Sequence, residues 1–419
     1  MLPERIRALE VCIGPRQAGY RAQLLRTSTY EFRYLDPDPE QPALGLLMSP
    51  RERLTWRDGD LLAPLDQNLP EGALFMRIRE LFPKQPMTPM HLLALIGQGA
   101  IGRVGCRLPD APEPPGPEPL SKAQLLHTRF TPAVFHELVA AYLATGAGIA
   151  GMQPKIMVPD RVTMPVPSLI VKAAATAYPG LAANEYLCLT AARLAGIAVP
   201  EAALSDDGQM LVLERFDLVA HDDGRIERLG FEDIAALAGL RVRDVLSDRK
   251  YHGSYQRVAE LLRSLGLHAG CLHRFFEQVA FSVMVRNGDA HLKNFGVLYR
   301  SEADVRLAPL YDVVTTAIYR YQRYPGGPLL EDRTMALKLF AGRHKTRAFP
   351  EAARLAEFGR TVCGVARPGA VLQAIGQGMH QALEAGAGDE RMPAGLLDSL
   401  RAAWQGGFEL ARSTRRDGT

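Results

Sequence analysis

The sequence predicts an α+β chain in two parts. An N-terminal mixed α/β lobe carries an added small subdomain, and a mostly helical C-terminal lobe follows. Three observations predict this. Strand-like segments with single helices fill the chain to about residue 220. Helical patterns dominate from 231 onward. The run LPDAPEPPGPEPL at 108–120 holds six prolines and separates a first small region from the rest. Prolines at that density cannot build a helix interior or a central strand, and they favour an extended spacer. The order suggests two lobes facing each other across a cleft.

Composition narrows the class. Apolar residues are 47% and charged residues 23% of 419, as in an ordinary folded protein with a sizeable core. Lys+Arg exceed Asp+Glu by 49 − 46 = 3, a balance that does not point to a nucleic-acid binder. The five cysteines (Cys12, Cys106, Cys188, Cys271, Cys363) form no C-x-x-C pair. That excludes a disulfide framework and a cysteine zinc site, and fits a reducing cytoplasm. MLPERIRALEV places charges where a signal peptide needs an apolar stretch, and no uncharged run is long enough to span a membrane.

Element by element, residues 1–27 read as a short extension, with LPERIRALEV and PRQAGYRAQLL as two short arginine-bearing helices. Residues 28–110 form the small subdomain. TSTYEFRY, rich in β-branched and aromatic residues, reads as a strand, and 73–82 and 88–96 as helices. Residues 111–122 are the linker. The rest of the first lobe, 123–220, starts with Thr131-Pro132 as N-cap and first helical residue, the helix running to Leu143. KIMVP and PSLIVKAA then read as a hairpin, 182–196 as a helix, and LVLERFDLV as one strand. The second lobe, 221–412, contains the apolar helix LHRFFEQVAFSVMV, the polar loop NGDAHLKN and the strand FGVLY; 413–419 is a tail.

The loop NGDAHLKN carries the strongest chemical signal. Asp289 and Asn294 stand five apart, as in loops where an aspartate takes a hydroxyl proton and an asparagine oxygen binds Mg²⁺. Asp312 follows at the end of an apolar strand, where a second metal-binding carboxylate is expected. Lys172 in SLIVKAA suits a strand lysine that contacts phosphates, with Glu185 thirteen residues on as its anchor. Glu214 and Phe216 in LVLERF suit a strand that lines a base. Of two G-x-G-x-x-G runs, Gly97-Gly99-Gly102 lacks a strand before it, whereas Gly146-Gly148-Gly151 precedes Lys172 and ranks higher as a phosphate-covering loop. Read singly, each residue has a plainer role: turn former, strand-edge charge, solvated helix residue or N-cap. His291 fits a buried hydrogen bonder, and Cys188 and Cys271 fit the core. The order and spacing of Lys172, Glu185, Glu214, Asp289, Asn294 and Asp312 together favour the functional reading.

These residues resemble the HipA family of bacterial serine/threonine kinases, the toxin components of type II toxin–antitoxin pairs. NGDAHLKNFGVLY resembles the family's D-x-H-x-K-N-F loop, LAPLYDVVTT its metal-binding segment and GIAGMQPK its A-G-x-Q-x-K stretch. NEYLCL, LVLERFD, DQNLPEG and LLALIGQGAIGRVG also fit, so the resemblance covers roughly residues 28–405. It implies a two-lobed protein-kinase-like fold that uses ATP and Mg²⁺. Asp289 would be the base, with His291 and Lys293 beside it in the catalytic loop. Asn294 and Asp312 would bind the metal. Lys172, anchored by Glu185, would contact ATP phosphates, and Glu214 and Phe216 would hold the adenine. Gly151, Met152, Gln153 and Lys155 would belong to the phosphate loop. The resemblance further implies a protein substrate such as a translation factor or aminoacyl-tRNA synthetase, and a HipB-like helix-turn-helix antitoxin through which DNA is reached indirectly. One departure stands out: Gly148 takes the position where the family often carries an autophosphorylated serine, so control through a partner or expression is expected instead. Two other classes stay open: an idle nucleotide-binding regulator acting through a repressor or DNA, and a metal-dependent hydrolase using Asp289, His291 and Asp312.

Overall fold

The computed structural model describes all residues except 1–2, 15–19, 37, 71–74, 76–77, 81, 85, 98, 110–120, 132, 135–136, 139–154, 160–166, 174–177, 268, 322–326, 343–345 and 417–419. The chain divides into two compact units. The first comprises Met1–Ala173, Val212–Arg249 and Gly296–Val305; the second comprises Ala174–Leu211, Lys250–Phe295 and Arg306–Thr419.

The first unit opens with an antiparallel sheet of β1 (Ala8–Ile13), β2 (Tyr20–Arg26), β3 (Tyr30–Tyr34), β4 (Thr55–Asp58) and, further along, β5 (Val104–Arg107), in the order β4-β3-β2-β1-β5. Pairing follows the alternation of side chains. Leu9 faces Leu24, which faces Phe32; Val11 faces Ala22, which faces Tyr34. All six are buried. A slip of one residue would turn this set to solvent, so burial fixes the register. Within the first 27 residues, Ala8–Ile13 and Tyr20–Arg26 are therefore not helices beside the subdomain but two inner strands of its sheet. Their outward positions carry Glu10, Arg21 and Gln23, and such short charged strands read as solvated helices when the partner strands are not known. Helices α1 (Ala63–Asp66) and α2 (Pro89–Ile96) follow β4, and α2 is capped by the Thr88 hydroxyl. After the proline-rich run comes α3 (Lys122–His127), whose Ser121 and Gln124 form a capping box.

The hairpin expected from KIMVP and PSLIVKAA is present as β6 (Lys155–Pro159) and β7 (Pro167–Ala173). The second unit takes over with α4 (Leu181–Leu194) and β8 (Ala202–Leu204), and β9 (Met210–Glu214) leads back into the first. LVLERFDLV is not one strand. It breaks at Arg215–Asp217, and β10 (Leu218–Ala220) pairs instead with β11 (Ile226–Arg228). The region from 231, expected as helical, starts as β12 (Gly230–Asp233), which pairs with β13 (Gly296–Ser301) ahead of the short α5 (Ile234–Leu237).

Glu232 of β12 points into the core and is 2% exposed. Its Oε1 accepts the Leu46 N–H at 2.6 Å and the Tyr299 hydroxyl at 3.0 Å. Burial pushes its carboxyl up to about 7. A folded-state value above the unfolded one means that this group favours folding at low pH. That contribution is complete below the unfolded value of 4.5 and is lost as pH rises toward 7. At 1.36 kcal/mol per unit, the loss is about 3 kcal/mol. Melting temperatures of wild type and Glu232→Gln from pH 4.5 to 8 should therefore diverge, with the variant gaining relative stability as pH rises. Parallel curves would show that the site does not titrate this way.

The second unit is built on helices α6 (Tyr255–Ser264), α7 (Ala269–Met284), α8 (Ala352–Thr361), α9 (Pro368–Ala387) and α10 (Leu396–Arg416). Phe275, Phe276, Val279, Ala280, Phe281, Val283 and Met284 of α7 are all buried, so α7 is the central helix of this unit. α9 packs on α4 closely enough that a Cβ at Gly378 would collide with the Ala191 carbonyl. The stretch between β14 (Asp304–Leu307) and α8 is mostly irregular rather than helical. It contains only a single 3₁₀ turn (Thr316–Ile318) and the two-residue strands β15 (Arg320–Tyr321) and β16 (Leu330–Glu331) among its described residues. Pro309 and Gly327-Pro328 break any helix there.

Candidate active site

The site begins where α7 stops. The Arg286 N–H bonds the Val283 carbonyl at 3.2 Å and the Asn287 N–H bonds the Ser282 carbonyl at 2.8 Å, a Schellman pair. That ending needs a left-handed residue, and Arg286 takes it with φ 57°. The chain then turns tightly. The Asn287 side-chain oxygen accepts the Asp289 N–H at 3.0 Å, and the Gly288 N–H donates to the Thr316 hydroxyl at 2.7 Å. Thr316 donates in turn to Asp332 at 2.7 Å. A Cβ at Gly288 would collide with the Asp332 carboxylate, so any larger residue there would have to displace that side chain from Thr316.

Asp289 follows, with its side chain 47% exposed. The Tyr251 hydroxyl donates to its Oδ1 at 2.7 Å. Its carboxyl is held above the ordinary range chiefly by burial of the turn, with Asp332 and Asp312 adding in the same direction, while the Tyr251 hydrogen bond and Lys250 oppose them. His291 is buried. Its N–H bonds the Asp289 carbonyl at 2.7 Å, and its ring lies edge-on to Tyr251 at 5.2 Å. Burial, then Lys250 and Lys293, push its imidazole well below the usual value, so the ring is neutral. Its Nδ1 finds no partner among the described residues. Lys293 accepts the Tyr311 hydroxyl on its carbonyl at 2.9 Å.

Asn294 closes a 3₁₀ turn over Leu292–Asn294. Its Oδ1 accepts the His291 N–H at 3.2 Å and its Nδ2 donates to the Asp312 carbonyl at 3.4 Å. One carboxamide thus joins the two segments that the sequence singled out. Asp312 has φ 54°; it and Arg286 are the only non-glycine residues with left-handed φ among the described residues. Such a conformation costs of order 1–3 kcal/mol and persists where its surroundings enforce it. Asp312 and Asn294 supply hard oxygen donors, the type Mg²⁺ prefers.

Asn184 of α4, which sequence reasoning missed, braces the segment after Asp312. Its carboxamide accepts the Thr315 N–H at 3.0 Å and donates to the Thr315 carbonyl at 3.1 Å. Trp404 of α10 donates to the Thr315 hydroxyl at 2.7 Å. Glu185 is the next residue of α4 and is 1% exposed. Cys188, one turn on, is a core thiol pushed up to about 12 by burial. Partners 131 and 89 residues apart leave no local signal in a sequence.

The remaining expected residues lie in the first unit. Lys172 is buried on β7, and Lys155 of β6 is its direct cross-strand partner. Glu214 is half-exposed and ion-paired with Lys122 at 2.6 Å. Phe216 packs on Phe231 with ring centroids 5.7 Å apart. Between them, Arg215 and Asp217 form a buried ion pair. Arg215 also donates to the carbonyls of Gly99 and Ala100, each at 3.0 Å, and Asp217 accepts the Gly102 N–H at 2.7 Å. The first glycine run is thus a braced connection into β5. Gly146, Gly148, Gly151, Met152 and Gln153 lie outside the described residues.

The structure thus brings Asp289, His291, Lys293, Asn294 and Asp312 together in the second unit. Comparison with known proteins finds two family models in the chain. Residues 9–107 match the family model of the HipA N-terminal domain, and residues 147–385 that of the HipA-like C-terminal domain. "Putative kinase Y4mE" of Sinorhizobium fredii is 27% identical over 63% of this chain and 71% of its own length. "Putative kinase Y4dM" of the same organism is 31% identical over 36% of this chain, and the match spans only 38% of that relative's length. A chain from the Shewanella oneidensis MR-1 toxin–antitoxin complex of HipA, HipB and operator DNA superposes with a TM-score of 0.64 at 17% identity, covering 97% of both chains. That likeness supports the kinase-like fold of a mixed and a helical part. Among the described residues, no helix is long and apolar enough to cross a membrane. With the C-terminal model alone matching more than half of its residues, the chain belongs to the HipA family.

Proposed function

We propose that the protein is a Mg²⁺- and ATP-dependent kinase that phosphorylates a serine or threonine of another cytoplasmic protein. The observation that carries this reading is the half-exposed Asp289 set on a tight turn, five residues before an asparagine whose carboxamide is bonded to Asp312. Asp289 takes the acceptor's proton as the hydroxyl oxygen attacks the terminal phosphorus of ATP and ADP departs. Mg²⁺, held by Asn294 and Asp312, would offset the negative charge of the phosphates. Lys172, buried on β7, is the strand lysine that would contact the triphosphate. His291, buried and neutral, serves better as packing for Tyr251 than as a second base. By family likeness, the substrate class is a translation protein such as an aminoacyl-tRNA synthetase. The controlling partner is a HipB-like antitoxin, since the Shewanella relative was solved with HipB and operator DNA. Gly148 has no hydroxyl to phosphorylate, which also favours control by a partner.

Labelled ATP and Mg²⁺ added to a cell lysate with the purified protein should label a discrete substrate band. Asp312→Asn should raise the Mg²⁺ concentration needed for half-maximal transfer by about tenfold or more, since Mg²⁺ relies on one or two protein carboxylates. ATP binding by calorimetry with no label in any lane would favour an idle nucleotide-binding regulator instead.

A further inference from the structure

We propose that Tyr251 is a positioning residue for the base. Its hydroxyl holds one oxygen of the Asp289 carboxylate so that the other, Oδ2, is presented to the acceptor hydroxyl. This rests on the kinase reading and deepens it.

The contact is a phenol–carboxylate hydrogen bond of 2.7 Å to Oδ1. Among the described residues the Asp289 carboxylate has no second hydrogen-bond partner, although its side chain is about half exposed. Without Tyr251, no hydrogen bond from the described residues would fix this carboxylate, whose Oδ1 also lies 4.0 Å from His291 Nε2. With it, one oxygen is occupied and the other is left for the incoming proton. A base oriented by a third group follows the logic of catalytic triads.

Tyr251 is itself held on several sides. Arg347 donates to its carbonyl. His291 meets its ring edge-on at 5.2 Å, and the Lys250 ammonium lies 5.5 Å from the ring centre. One turn further on, Tyr255 donates its hydroxyl to the Ala290 carbonyl at 2.8 Å and its N–H to the Lys338 carbonyl at 2.9 Å. Two tyrosines flanking the start of α6 thus grip consecutive residues of the catalytic turn, one by its side chain and one by its backbone. Ser254, which lies between them, caps α6 by accepting the Arg257 N–H.

Tyr251→Phe keeps the ring and its contacts and removes only the hydroxyl. Its turnover should fall by about 10- to 100-fold, the scale of a misplaced reacting group. KM for ATP and the melting temperature should stay unchanged. Because the hydroxyl acts through the carboxylate, Tyr251→Phe should have no further effect on the residual transfer of Asp289→Asn. Three results overturn the inference while leaving the kinase reading in place: undiminished turnover in Tyr251→Phe, equal losses in both backgrounds, or a gain in acceptor kcat/KM. The last would mean that the phenol occupies the acceptor's place. No transfer by the wild type overturns the kinase reading, and this inference with it.

Discussion

Asp289→Asn should lower phosphate transfer from ATP by about a thousandfold, within the 10²–10⁴ range that a positioned base contributes, and should leave the chain folded. The substitution is isosteric. An asparagine oxygen at 289 still accepts the Tyr251 hydroxyl, so the turn survives, but a carboxamide cannot take the acceptor's proton. Stability should not suffer and should rise near neutral pH. The Asp289 carboxyl is held above its ordinary range by burial, and Asp312 and Asp332 repel its charged form. Its ionised state therefore works against folding at any pH above the unfolded value, and a neutral side chain removes that opposition. Labelled-ATP transfer and a melting curve on the same preparations check both halves. Full transfer by a natively folded variant would show that another group is the base.

Asp217→Ala should destabilise the first unit by about 3–5 kcal/mol, the cost of stranding one member of a buried ion pair. The side chains of Arg215 and Asp217 are 0% and 1% exposed. Removing the carboxylate leaves a cation among backbone carbonyls and frees the buried Gly102 N–H. The chain has two tryptophans, and each unit holds one: Trp56 in β4 and Trp404 in α10. In a Trp404→Phe background, Trp56 fluorescence during urea unfolding reports the first unit alone. The midpoint should drop well below that of the parent. An unchanged midpoint would mean that the pair contributes nothing net.

Much of the site was legible in the sequence because its logic is local. NGDAHLKN stands out as a polar break between an apolar helix and an apolar strand, and Asp289 and Asn294 lie close because one tight turn holds both. The β6–β7 hairpin was legible for a similar reason, since two β-rich runs lie either side of a short connection. Where partners are distant, the sequence is silent. Tyr251, Asp332, Asn184 and Trp404 act on the site across 38, 16, 131 and 89 residues. Nothing in their own neighbourhoods marks them. Arg215 and Asp217 sat inside a recognised motif, yet the backbone they grip lies 115 residues upstream. β1 and β2 were misread because each is short and charged on one face, and only their partners reveal which face is buried.

The Asn184 carboxamide has a mechanical consequence. Because it bonds both the N–H and the carbonyl of Thr315, α4 and the strained segment behind Asp312 are coupled like two parts on one axle. Turning α4 by a single residue position, about 100°, would swing Asn184 off Thr315 and carry Glu185 with it. The Thr315 hydroxyl is also tethered to Trp404, so the final helix resists the same movement. Within this unit, a movement of α4 that displaces Glu185 therefore also pulls on the segment three residues after Asp312, and α10 holds that same segment from the other side.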